Sequence, residues 1–179
     1  PVPGTEKNVP CDTLLLSVGL LPEIELPFAA GIVLDKRTRG PKVNESMETS
    51  VPGIFACGNV AHVHDLVDNV TTESEKAGRC AAAFVNGQLH RGRGICTLAG
   101  EGIAYIVPQE VRTANCGGSV ELYFRVTRIF DQVKLNLKID GRIVKSLKKR
   151  HMAPGEMESL SVPCALMENA EQLQLEIET

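Results

Sequence analysis

Three clusters of residues in this chain have types and spacing that could do chemistry. The first is the stretch "TSVPGIFACGNVAHVHDLVDN", residues 49–69, where an apolar run ends on Cys57-Gly58-Asn59. A glycine at a strand end lets a ligand come close to the backbone. An amide beside it can both donate to and accept from a sugar hydroxyl. The second is His62 and His64, an HxH pair, for which a metal would need two further ligands that the sequence does not place nearby, so the two read as surface histidines in a loop. The third is "KSLKKRH", Lys145–His151, either a basic patch for an acidic partner or phosphate, or a solvated hairpin. Glu156 has no paired carboxylate at a fixed spacing, so it points to no acid–base function.

The elements around Gly58 must do the positioning. Cys11-Asp12 leads into an apolar run, Thr13–Gly19, that reads as a strand buried on both faces, as in parallel sheets. Ile32–Leu34 and Val43 flank the turn-rich "DKRTRGPK" and read as a small antiparallel excursion. Val51–Cys57 reads as a second buried strand, with Pro52 tolerated near its start. Asn69–Val85 has helical spacing at Val70, Ala77, Ala81 and Phe84. Asp65 or Asp68 could cap its start, and Asn86-Gly87 would end it. Ligands of parallel α/β sheets bind beyond the carboxyl ends of the strands. The start of this helix would offer free N–H groups and a positive dipole end to negative charge. The alternative is an ordinary strand–turn–helix.

Composition shifts after "GQLHRGRG", a glycine- and charge-rich connector. Leu122, Phe124 and Val126 alternate with polar or amphipathic residues, as do Val133, Leu135, Leu137 and Ile139. Asp140-Gly141 follows, a strong hairpin signal, with Ile143 and Val144 starting the return strand. Leu160 and Val162, then Leu173, Leu175 and Ile177, add further alternating runs. No long helix is expected after residue 90. The expected fold is α/β followed by all-β, the second part a small antiparallel β-sandwich.

The chain has 179 residues, 43% hydrophobic and 23% charged, as in a globular protein. A net charge of −3 argues against a general nucleic-acid binder. No apolar stretch reaches the ~18 residues of a membrane helix. The chain opens Pro-Val-Pro-Gly, with neither methionine nor a signal-like region, which suggests a piece of something longer. The six cysteines show no CxxC and read as reduced thiols, several of them buried, in a cytoplasmic setting. Cys57 and Cys80 suit small buried hydrophobes better than a redox pair.

"TSVPGIFACGNV" resembles the second FAD signature of the FAD/NAD(P)-dependent pyridine nucleotide-disulfide oxidoreductases, thioredoxin-reductase-like branch. "CDTLLLSVGLLPEIEL" resembles that family's segment leaving the NAD(P) domain for the FAD domain. "NVTTESEKAGRCAA" resembles the helix whose first turn meets the flavin. The resemblance covers roughly residues 9–86. It implies the end of an NAD(P) domain and return segment at 1–26, the C-terminal part of a Rossmann-like FAD domain at 27–88, a linker at 89–103 and the β-sandwich at 104–179. It implies that Gly58 and Asn59 contact the pyrophosphate–ribitol portion of FAD, and that Asn69, Val70 and Thr71 lie near the ring, offering mainly backbone N–H groups. The family usually has aspartate where Asn59 stands. The GxGxxG loop, the NAD(P)H loop and a redox CxxC are missing from this sequence, and in the family lie upstream.

The resemblance therefore implies the C-terminal fragment of a flavoprotein that passes a hydride from NAD(P)H to FAD and on to an acceptor or partner subunit. Alone, such a fragment would bind FAD weakly or not at all and be inactive. The β-rich tail, with "YIVPQEV", "ELYFRV" and "PGEM", more loosely resembles an extra domain of some members, which implies docking to a dehydrogenase partner subunit. The alternative function is a docking module without catalysis of its own, and a third is a stand-alone protein with another ligand at the same strand end. Unpaired strand edges would also favour a homodimer.

Overall fold

The computed structural model describes residues 2–17 and 19–179. Pro1, in the expected return segment, and Val18, in the expected strand Thr13–Gly19, lie outside the described residues. Among the described residues the polypeptide is mostly β, with two open sheets and one long helix.

The chain begins with an irregular stretch and a short helix, α1 (Glu25–Ala29), in "IELPFAA". The expected strand at 13–19 does not form among the described residues. Leu14, Leu15 and Leu16 are 71%, 91% and 75% exposed. An apolar run becomes a buried strand only when neighbouring strands take up its N–H and C=O groups, and no described strand lies beside this one.

Residues 32–56 form a compact set of turns linked by isolated bridges, Leu34 to Pro41, Val43 to Thr49 and Glu48 to Phe55. The first is the expected antiparallel excursion. It is closed by Asp35, whose Oδ1 accepts the N–H groups of Arg37 and Thr38, each at 2.9 Å. The expected strand at 51–57 is instead a turn with a single bridge at Phe55. Gly53 takes φ +82° there, which bends the backbone out of extended geometry. A 3-10 turn at Gly58–Val60 follows, then α2 (Val67–Val85). Helix α2 starts two residues before the expected Asn69. Neither Asp65 nor Asp68 caps it, and Asn86-Gly87 ends it as expected, with Gly87 at φ +68°.

The second half contains β1 (Ile95–Ala99), β2 (Ile103–Val107), β3 (Glu110–Val111), β4 (Ser119–Val126), β5 (Phe130–Ile139), β6 (Arg142–Met152), β7 (Glu158–Pro163) and β8 (Gln172–Glu178). One sheet runs β3-β1-β8-β5-β6 and the other β2-β4-β7. Strand β1 occupies part of the stretch read as connector, because Ile95 is its only fully buried residue and alternation is too short to see. It pairs with β8 in parallel, so the half is not wholly antiparallel. The hairpin between β5 and β6 turns on Asp140 and Gly141, at φ +47° and +79°, the twist that suits an Asp-Gly turn. Alternate residues of both sheets, among them Leu122, Phe124, Leu135, Leu137, Leu173 and Leu175, share one apolar cluster.

A second cluster joins the two halves: Val43, Met47, Ala56 and Ala77 pack with Val107. The segments also pair directly. The Val43 N–H donates to Gln109 Oε1 at 2.9 Å, and the Gln109 N–H to the Val43 carbonyl at 3.0 Å. The excursion at 34–41 abuts the Gly58 turn so closely that a Cβ on Gly40 would overlap the carbonyl oxygens of Val60 and Ala61. Gly40→Ala should therefore lower stability by about 1–3 kcal/mol in denaturant unfolding, because backbone rather than a flexible side chain must give way. Gly78→Ala, at an exposed helical site with open space around its Cα, should be neutral or stabilising.

Candidate functional site

Gly58 is buried and takes φ +66°, which suits glycine and turns the chain sharply. Its polar groups are engaged within the protein. Its N–H donates to Glu73 Oε2 at 2.8 Å, and its carbonyl accepts from Ala61 and His62 N–H groups at 2.9 and 3.1 Å. The Val70 side chain sits 3.1 Å from where a Cβ would be. Asn59, by contrast, is exposed; its Oδ1 accepts the His64 N–H at 3.1 Å, which leaves Nδ2 free to donate outward.

Behind this turn lies a group that sequence reasoning left unassembled. His62 and His64, expected as surface histidines, are both buried. His62 Nε2 lies 2.7 Å from Glu73 Oε1, and His64 Nε2 lies 3.0 Å from Glu73 Oε2. The sequence signal for Glu73 was its place on the apolar stripe of α2, one turn from Val70 and one from Ala77. Against the imidazoles pack Tyr105 and Tyr123 of the β half, with ring centroids 5.9–6.1 Å away. Arg125 completes the enclosure. It donates to the Tyr105 hydroxyl, to the Val63 carbonyl and to Asp65, whose other oxygen accepts the Met157 N–H.

Burial by itself would raise the Glu73 carboxyl, but hydrogen bonds from His62, His64 and the Gly58 N–H outweigh it and hold the group at about 2. Burial pushes His62 below its ordinary value, and the pull of Glu73 only partly opposes this. The consistent arrangement is a carboxylate accepting a hydrogen bond from each imidazole. His62, His64 and Glu73 are also metal-ligand types, with ligand atoms within 4.8 Å of one another. Glu73 thus supplies one of the two ligands that the HxH pair was short of. In a metal complex through Nε2, each Nδ1 would carry the proton, and neither buried Nδ1 has a partner. The donor set suits the hydrogen-bonded state better.

The exposed amide end of α2 lies two residues earlier than the sequence suggested. Among the described residues, the Val67 and Asp68 N–H groups have no acceptor, whereas Thr71 lies far enough into the helix to bond within it. The Asn69 N–H donates to the Leu66 carbonyl at 3.2 Å, and Thr71 Oγ1 to the Val67 carbonyl at 3.1 Å. Val70 turns its side chain to Gly58. Asp68 places a carboxylate in the first turn. Leu66 and Val67 leave apolar side chains exposed beside these groups. All six cysteines are free, and only Cys164 is fully buried. Cys57 is half-buried, with Sγ donating to Ser74 Oγ at 3.6 Å, and Cys80 is also half-buried.

Glu73 and His62 act in one direction with pH. Glu73 holds its charge more readily when folded, so its stabilisation is present above about pH 4.5 and is lost as pH falls towards 2. His62 resists protonation when folded, so its contribution is lost as pH falls below 6.5. The thermal midpoint should fall on acidification from pH 6.5. Glu73→Gln should cost roughly 3 kcal/mol at pH 7 and flatten the dependence below pH 4.5.

The family description "Pyridine nucleotide-disulphide oxidoreductase" matches residues 2–81. The chain is 35% identical over 82 residues to putidaredoxin reductase CamA of Pseudomonas putida, covering 42% of this chain and 19% of that protein. It is 42% identical over 62 residues to a dihydrolipoyl dehydrogenase of Manduca sexta, covering 33% of this chain and 12% of the relative. A match of 29% identity over 147 residues, to NADP(+)-dependent formate dehydrogenase subunit beta of Moorella thermoacetica, covers 79% of this chain, β half included, and 20% of that protein. The chain thus spans a fifth or less of the length of these relatives. No solved structure matches it significantly. Over residues 2–81, then, the chain is similar to the pyridine nucleotide-disulphide oxidoreductases.

Proposed function

We propose that this chain supplies one wall of an FAD site in an NAD(P)H-dependent oxidoreductase. The observation that carries this reading is the exposed amide end of α2 beside Asn59, within the stretch that the family description matches. Asn59 Nδ2 donates to a ribityl hydroxyl or phosphate oxygen. The Val67 and Asp68 N–H groups face the pyrimidine edge of the ring, and Leu66 and Val67 offer it an apolar surface. Gly58 contributes the bend that presents Asn59, not a hydrogen bond. Asn69, Val70 and Thr71 act through the helix they build. Flavin, when bound, supplies the hydride chemistry; the chain's own residues bind and orient it.

The donor set fits part of FAD only. No GxGxxG loop is present in the sequence, so the phosphates are left without their main cradle. The exposed Leu14–Leu16 run fits a strand completed by another segment. FAD should bind the 179-residue chain at micromolar affinity or weaker, and tight stoichiometric binding would sink the missing-cradle reading. In the full gene product, Asn59→Leu should weaken FAD retention about tenfold, the worth of one hydrogen bond to a polar group. Retention at the unsubstituted level would remove Asn59 from the site. Fluorescence quenching titration measures both.

A second reading concerns the β half, which we regard as a small β-sandwich that docks a partner subunit. Strand β6 is the sheet edge and is exposed along most of its length. It carries Arg142, Lys145, Lys148 and Arg150, for which no ion pair occurs among the described residues. One relative is named an assimilatory nitrate reductase electron transfer subunit, and the formate dehydrogenase relative is also a named subunit. Lys148→Glu with Arg150→Glu should abolish co-purification of a partner with the full gene product while leaving its flavin content unchanged. Undiminished co-purification would move the docking surface elsewhere.

A further inference from the structure

A sizeable cavity lies away from the Gly58 turn. It lies at the seam between the two halves and has a volume of about 500 Å³, within the range of small-molecule sites. Asn44 and Gln109 line it, and the orientation of each carboxamide is fixed. Asn44 Oδ1 accepts the Ser46 and Glu48 N–H groups at 2.8 and 3.2 Å, and Gln109 Oε1 accepts the Val43 N–H at 2.9 Å. The oxygens are therefore the bonded ends. Asn44 Nδ2 and Gln109 Nε2 are left as buried donors without an acceptor. Arg112, also in the lining, donates through Nη2 to Glu48 at 3.1 Å. Its Nε lies 3.5 Å from Glu110 Oε1 but makes no hydrogen bond.

Charge around the cavity has the matching sign. Glu48 is neutralised by Arg112. Lys42 and Arg91, both exposed and both bordering the cavity, have no carboxylate within ion-pair distance among the described residues. Glu110 is the remaining carboxylate, so three cations face two carboxylates. Buried unpaired donors are destabilising until something with acceptor oxygens meets them. An anion also satisfies the surplus positive charge.

We infer that this seam cavity binds a small organic oxyanion, a phosphomonoester or a dicarboxylate, through Lys42, Arg91 and the free amides of Asn44 and Gln109. The site is separate from the proposed flavin wall and stands or falls without it. Since its walls come from both halves, the ligand binds only the assembled fold and stabilises it by mass action.

The test uses the 179-residue chain with inorganic phosphate, ribose 5-phosphate and succinate, each against sodium chloride at equal ionic strength. Isothermal titration gives the affinity and thermal unfolding the stabilisation. At least one probe should bind and raise the unfolding midpoint, and the preferred probe identifies phosphate or carboxylate as the recognised group. Lys42→Met with Arg91→Met, two exposed positions, should weaken binding at least tenfold, while any loss of the Arg91 contact with the Phe84 ring lowers the midpoint equally with and without ligand. Asn44→Asp keeps the acceptor oxygen of the turn, replaces the free amide by a carboxylate oxygen, and should abolish binding. Failure of all three probes at 10 mM, or equal affinity in the Lys42/Arg91 variant, overturns the proposal.

Discussion

A carboxylate with only 3% of its side chain exposed sits under the Gly58 turn, and the geometry of that turn depends on it. An ionised group at that depth is strongly disfavoured unless donors surround it. Glu73 has three: two imidazoles and the Gly58 N–H. The requirement runs both ways. The carboxylate fixes the position of Gly58 relative to α2, and it fixes the tautomer of both histidines, with the Nε2 protons directed at the carboxylate. The Gly58 amide is thereby committed inside the protein rather than offered to a ligand. Asn59, next in the chain, is left outside with a free side-chain donor.

The β half is part of the same enclosure. Tyr105 and Tyr123 close over the histidine rings, and Arg125 reaches across to the Val63 carbonyl and to Asp65. Further along the seam, Glu45 accepts the Arg112 N–H at 2.7 Å and an Asn115 Nδ2 proton at 3.0 Å, and Glu48 pairs with Arg112. Buried carboxylates of the first half are thus repeatedly satisfied by donors of the second. Single-partner removal at such contacts leaves an uncompensated charge, so the two halves resist separation more than their modest shared apolar cluster would suggest.

What could be read from the sequence followed from how local each signal was. The Asp140-Gly141 hairpin and the alternating runs from Leu122 to Ile139 depend on neighbours in the chain, and they formed as expected. So did the body and terminator of α2. The runs at 13–19 and 51–57 depend on strands beside them; without such neighbours among the described residues, apolarity alone did not make them strands. His62 and His64 were visible as a pair, but their burial required Glu73, eleven and nine residues on, together with two tyrosines more than forty residues away. The helix start moved because no side chain caps it, and uncapped ends are poorly marked in sequence.

This wiring bears on how a partner at the β half would matter to the flavin wall. Arg125 is on β4, the middle strand of the three-stranded sheet, and β7 beside it leads from Met157, whose N–H is held by Asp65. Asp65 is two residues before Val67, where the free amides of α2 begin. The path from β4 to the helix start therefore crosses one ion pair and two residues of backbone. Close packing gives such a path little slack. The β half that we propose as the docking part and the edge that would hold the flavin are in that sense one mechanical unit, built around the same buried histidines.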